Sequence, residues 1–192
     1  MALSEFELIA RFFDSPDFAV PDAEGVVLGV GDDAAILRLP PGEDLAVSVD
    51  TLVAGVHFPV ASGPEQIGHR ALAVNLSDLA AMGARPLWFT LALTLPEADE
   101  AWLAGFSRGL AAIARRFRVA LIGGDTTRGP LTITIQVHGS VPAGLALRRD
   151  GARPGDEVWV SGHPGTAALG LRQLLAGGAR DEAAQVFVEP QP

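Results

Sequence analysis

The feature that most constrains this chain is the interleaving of strand-like apolar runs with two long helical stretches. Val26 to Val30, Ala34 to Leu39 and Leu45 to Val49 read as strands; the first two flank Gly31-Asp32-Asp33 and the third ends at Asp50. Pro64 and Glu65 then open a helical stretch that closes at Gly83. Leu87 to Leu95 is an apolar run too rich in β formers to extend that helix. Trp102, Phe106, Leu110, Ile113 and Phe117 recur at helical spacing in a second stretch from Glu97 to Phe117. Val119 to Ile122 leads from there into Gly123-Gly124-Asp125-Thr126-Thr127, and Thr132 to Val141 is the strand that follows. The order β-β-β-α-β-α-β-β predicts an α+β fold, with a mixed sheet of the α/β kind and its helices on one face. Ahead of it, Ser4 and Glu7 make a capping box for a short helix carrying Phe6, Ile9, Ala10 and Phe13, which Asp14-Ser15-Pro16 stops.

The polar, turn-rich run from Arg148 to Asp156 marks a boundary, so the chain divides into a first domain over 1–142 and a second segment over 143–192. In that segment Glu157 to Val160 reads as a strand and Gly165 to Leu175 as a helix. So short a stretch is expected to be the incomplete start of a second domain, because it is too small for an independent core.

Composition narrows the chemistry. Cysteine and tyrosine are absent, and all 14 basic residues are arginine, since no lysine occurs. Zinc-thiolate sites, thiol nucleophiles, Schiff-base enzymes and lysine-dependent P-loop or protein-kinase sites are therefore excluded. A net charge of -9 opposes nonspecific binding to nucleic acid. No run of about 18 apolar residues is present, and Glu5 and Glu7 stand where a signal peptide carries positive charge, so a cytoplasmic protein without membrane contact is expected.

What remains is a set of carboxylates where apolar elements end: Asp32, Asp33, Asp50, Asp78 and Asp125. Asp32, Asp33 and Asp50 each also suit a solvated turn. Asp78 shares a helical face with Ala71, Val74 and Ala81, so it requires a partner, either an arginine or a ligand. Asp125 follows two glycines that let backbone approach a ligand. Oxygen donors of this kind suit a hard cation such as Mg²⁺ holding a substrate phosphate. His69, His138 and His163 show no metal spacing, and Gly162-His163-Pro164-Gly165 is a weak anion-site signal.

Four ordered motifs carry a specific resemblance: Gly31-Asp32-Asp33-Ala34-Ala35; Ser48-Val49-Asp50-Thr51 with Gly55-Val56-His57-Phe58; Asn75-Leu76-Ser77-Asp78 through Met82-Gly83-Ala84; and Gly123-Gly124-Asp125-Thr126-Thr127. Together they resemble the thiamine-monophosphate kinase family, within the aminoimidazole ribonucleotide synthetase-like superfamily, whose members lack a P-loop and use aspartate-bound Mg²⁺. The resemblance implies the N-terminal domain fold of that superfamily and a homodimer whose sheets meet. It also implies ATP-dependent phosphorylation of thiamine monophosphate to thiamine diphosphate. By the same resemblance Asp33, Ser48, Val49 through its carbonyl, Asp50, Asp78 and Asp125 match Mg²⁺ positions. Gly124, Asp125 and Arg149 match nucleotide positions, and His57 matches a substrate contact. No side-chain nucleophile is required, because the acceptor phosphate oxygen is already ionised. The resemblance spans this whole chain but only the first part of the family pattern; the Ser-Asp-Gly motif of the family's C-terminal domain does not occur in these residues. Two other readings stay open: a related ATP-dependent enzyme with another acceptor, and a nonenzymatic nucleotide-binding or dimerisation module.

Overall fold

The computed structural model describes residues 5–15, 18, 20, 23–178 and 181–192. The elements, in order, are α1 (Glu5–Phe12), β1 (Val26–Leu28), β2 (Ile36–Leu37), β3 (Glu43–Val53), α2 (Pro64–Ala81), β4 (Arg85–Leu95), α3 (Glu100–Phe117), β5 (Ala120–Arg128), β6 (Thr132–Pro142), α4 (Thr166–Leu175) and α5 (Glu182–Val188). The expected α+β fold with a mixed sheet is found. Four strands run in the order β3-β6-β4-β5, antiparallel except for the β4/β5 pair. Of the expected capping box, Ser4 lies outside the described residues, as do the Phe6 side chain and Pro16.

Alternation of side chains decides which face is buried. Phe89, Leu91 and Leu93 of β4 and Ile133, Ile135 and Val137 of β6 join Leu72, Leu76, Leu79, Phe106, Leu110 and Ile113 of α2 and α3 in one core. The two helices touch through glycines. A Cβ on Gly68 would lie 2.2 Å from the Phe106 carbonyl oxygen, and one on Gly109 would lie 1.9 Å from that of Glu65. Asp99 caps α3 by accepting from the Ala101 and Trp102 N–H groups at 2.8 and 3.2 Å.

On the opposite face the β1/β2 hairpin covers Leu87, Trp88, Ala120 and Ile122. Its base is tied down where the Trp88 indole N–H donates to the Glu24 carbonyl at 2.8 Å and Arg85 pairs with Glu24 at 2.7 Å. The β3 part of this face is bare: Leu45, Val47 and Val49 are 52%, 50% and 56% exposed.

Several elements differ from expectation; β1 and β2 are confined to Val26–Leu28 and Ile36–Leu37, shorter than the runs 26–30 and 34–39. Strand β3 runs through Asp50 to Val53, and β5 runs through Asp125 to Arg128, because both stay paired with neighbouring strands where the local sequence signals a turn. Asp50 and Asp125 are therefore strand residues and do not sit at strand ends. Glu157 to Val160 forms no strand, and Trp159 is 85% exposed, since among the described residues no strand lies alongside to complete a ladder. Helix α4 forms as expected, while α5 has no counterpart in the sequence reading; Asp181 caps it by accepting from the Ala184 N–H at 3.0 Å.

Candidate functional site

A cleft of about 580 Å³ runs along the edge of β5. The 30–35 loop and Leu121 to Thr126 line it, with Ile9, Phe13, Thr90 and Leu91 adding walls, so Asp33, Gly124 and Asp125 share one cavity. The loop that carries Asp33 turns at Gly31, whose φ of 114° is open to glycine and costly for other residues. Asp32 steadies it by accepting from the Asp33 N–H at 2.8 Å. Gly124 has a requirement of its own: a Cβ there would lie 1.9 Å from the Leu91 carbonyl oxygen. The backbone this glycine admits is thus that of β4.

A second polar group gathers at the other edge of the sheet. The Ser48 hydroxyl donates to Asp78 Oδ2 at 2.7 Å, joining β3 to α2. The partner Asp78 requires is thus a hydroxyl and not an arginine, and its side chain is solvent-exposed. One turn earlier Asn75 is completely buried; its Oδ1 accepts from the Asp50 N–H at 3.1 Å and its Nδ2 donates to the Ala71 carbonyl at 2.9 Å. Sequence reasoning passed over Asn75 as a site residue. The available signal was that it is the only asparagine in the chain and lies on the apolar face of α2.

Strand register gives the separation of the two groups. Asp50 pairs with Ile135, Ile135 with Leu91, and Leu91 with Gly124, so Asp50 and Gly124 stand in one row across all four strands. Three strand spacings put them about 14 Å apart. Among the described residues, no three acidic or histidine side chains converge on one point that could hold a metal ion. One chain therefore brings Ser48, Val49, Asp50 and Asp78 to the β3 edge and Asp33, Gly124 and Asp125 to the β5 edge. It does not bring the two groups together.

His57 sits in a tight turn after β3. Its N–H donates to the Val53 carbonyl and its Nδ1 accepts from the Val53 N–H, both at 3.0 Å. Accepting at Nδ1 places the proton of the neutral ring on Nε2. Arg149 is exposed in the turn after β6, next to the bidentate Arg148–Asp150 pair at 2.9 Å.

A mixed four-stranded sheet with helices on one face and an acidic cleft along one edge is the architecture of a known domain class. Residues 31–141 match the family described as AIR synthase related protein, N-terminal domain, and the chain belongs to that family. Its relatives are thiamine-monophosphate kinases: it is 55% identical over 174 residues to that of Salmonella typhimurium, which covers 91% of this chain and 53% of the relative. The crystal structure of thiamine-monophosphate kinase from Stenotrophomonas maltophilia superposes with a TM-score of 0.87 at 46% identity, covering 100% of this chain and 63% of that one. A structure of AaThiL complexed with AMPPCP and TMP gives 0.74 at 29% identity, covering 100% of this chain and 61% of that one. The chain spans about half the length of the curated relatives it matches. Among the described residues no helix is long and apolar enough to cross a membrane.

Proposed function

We propose that this chain is the nucleotide- and metal-handling part of a kinase that transfers the γ-phosphoryl of ATP to the phosphate of thiamine monophosphate, giving thiamine diphosphate and ADP. The observation that carries this reading is the cleft in which Asp33, Gly124 and Asp125 meet, in a chain 55% identical to a thiamine-monophosphate kinase. The donor set fits Mg²⁺: carboxylates, the Ser48 hydroxyl and the Val49 carbonyl are all hard oxygen ligands. Asp33, Ser48, Val49, Asp50, Asp78 and Asp125 would hold the ions, which when bound neutralise charge on the transferring phosphoryl group. Gly124 and Arg149 contact the nucleotide in this reading. His57, with Nε2–H directed away from its own turn, donates to the substrate. With no lysine in these residues, the positive charge that they bring to the phosphates comes from arginine and the bound ions. In this reading residues 1–142 form the unit that supplies all of these residues except Arg149, which belongs with 143–192 to a second unit.

A homodimer belongs to the same reading. Strands β3 and β5 are the two edges of the sheet; four of the six oxygen donors gather at the β3 edge and two at the β5 edge. In a two-fold pair, the β3 edge of one copy meets the β5 edge of the other. This covers both edges, buries part of Leu45, Val47 and Val49, and completes two equivalent sites. Light scattering is expected to give a mass twice the 20.0 kDa of one chain.

Titration calorimetry with ATP tests the site. Binding is expected with Mg²⁺ and is lost with chelator, because bare ATP is repelled by the acidic cleft. Equal affinity with and without Mg²⁺ refutes the metal-bridged reading. Production of thiamine diphosphate by the purified protein, and not of another phosphorylated acceptor, tests the reaction.

A further inference from the structure

Helix α5 packs chiefly on α4, and by Phe187 and Val188 at its end, both buried, it also reaches α2. Its end is held by side chains of α2. The Arg70 guanidinium lies 4.2 Å over the Phe187 ring, and its Nη1 donates to the Phe187 carbonyl. His69 Nε2 is 3.0 Å from the Pro190 carbonyl oxygen. The Phe187 carbonyl at the end of α5 lacks an intrahelical donor, and that of Pro190 lies just past the helix, so cationic or N–H side chains from a neighbouring helix satisfy them well. Burial lowers the Arg70 pKa from its usual value, and Arg70 Nε is enclosed without a partner. Its polar partner among the described residues is the Phe187 carbonyl of α5.

The same contact reaches the substrate turn. A small cavity is walled by Phe58, Gln66, Ile67, Arg70, Phe187 and Val188, so the buried Phe58 ring abuts the α5 docking site. Phe58 is also the closing residue of the turn: its carbonyl accepts from the Gly55 N–H at 2.8 Å, and it bridges Ala54. His57, exposed, is the residue immediately before it.

We infer that Arg70 and Phe187 are positioning residues for His57: by clamping α5 over Phe58 they hold the 54–58 turn in the geometry that keeps Nδ1 accepting and turns Nε2–H outward as a donor. The consequence for substrate rests on the reading that His57 contacts thiamine monophosphate. The positioning itself does not. It makes docking of the 181–190 segment and orientation of the substrate donor a single event, so a chain with α5 undocked presents a turn in which either ring nitrogen carries the proton.

The test uses the 192-residue chain, Arg70→Met, Arg70→Lys and Phe187→Leu. Ring ¹H–¹⁵N correlation spectra report the His57 tautomer, amide exchange reports Val53, and calorimetry reports thiamine monophosphate and Mg·ATP separately. For Arg70→Met and Phe187→Leu, the His57 ring nitrogens are expected to move toward tautomer-averaged shifts and Val53 exchange to accelerate about tenfold. Thiamine monophosphate binding then weakens by about fivefold, the effect of one misdirected donor, while Mg·ATP binding is retained. Arg70→Lys, which keeps the charge over Phe187, stays near the parent. Should Arg70→Met fail to fold, Phe187→Leu carries the test. Unchanged His57 and Val53 signals in the folded variants overturn the inference. So does uniform acceleration of exchange with parallel loss of both ligands, which marks a merely structural role. If the parent binds no thiamine monophosphate but His57 still responds to the variants, the positioning stands and the substrate reading falls.

Discussion

Replacing Asn75 by alanine should do more damage than any other single polar truncation on α2. Its side chain is completely buried and bridges two backbones, accepting from the Asp50 N–H at 3.1 Å and donating to the Ala71 carbonyl at 2.9 Å. Truncation removes both bonds and leaves a cavity beside a half-buried N–H. An unsatisfied donor costs about 1–3 kcal/mol and a second lost bond about 1 kcal/mol, so the sum is roughly 2–4 kcal/mol. For a domain of this size each kcal/mol moves the melting temperature by about 2–4 °C, which gives a fall of about 4–16 °C. Asn75→Asp should be at least as harmful, since it sets a carboxylate oxygen against the Ala71 carbonyl in a buried place. Calorimetric melts of the three proteins at neutral pH measure this, and amide exchange at Asp50 checks the mechanism. A fall of less than about 2 °C for Asn75→Ala, with Asp50 exchange unchanged, would refute the reasoning, because the bridge would then carry no net stability.

Three further outcomes follow from the structure. Asp50→Asn should leave the melting temperature within about 2 °C of the parent yet weaken Mg²⁺-dependent ATP binding by about tenfold or more, since an edge-strand carboxylate contributes chiefly to the bound charge; calorimetry in both modes checks this, and unfolding with normal binding by the folded fraction sinks the assignment. Gly109→Ala should destabilise by about 2 kcal/mol in urea titration, because overpacking at a site 1.9 Å from the Glu65 carbonyl oxygen exceeds the roughly 1 kcal/mol that alanine gains in a helix. Burial lowers the His138 pKa, so below about pH 6.5 the unfolded chain takes up a proton that the folded one resists. That contribution is intact above the unfolded value and is lost as the pH falls toward the folded one. His138→Gln should flatten this part of the stability profile, and an identical slope in both proteins contradicts it.

Much of the molecule was legible in the chain because the decisive signals are local. Period-two and period-3.6 patterning put α2, α3, β4 and β6 within a few residues of their observed bounds. The motifs containing Asp33, Asp50, Asp78 and Asp125 stand out because carboxylates in apolar surroundings need a partner or solvent. The rest depended on partners distant in sequence. Gly123-Gly124-Asp125 signals a turn by itself, yet pairing with Leu91 and Ala92 keeps it in a strand. Val158-Trp159-Val160 signals a strand, yet with no strand alongside among the described residues it stays exposed. Nothing local fixes the strand order β3-β6-β4-β5, which carries Asp50 and Asp125 to opposite edges. Hydrophobic periodicity says which residues face inward, but which strands become neighbours is settled only when the nonlocal hydrogen bonds form and α2 and α3 close over one face.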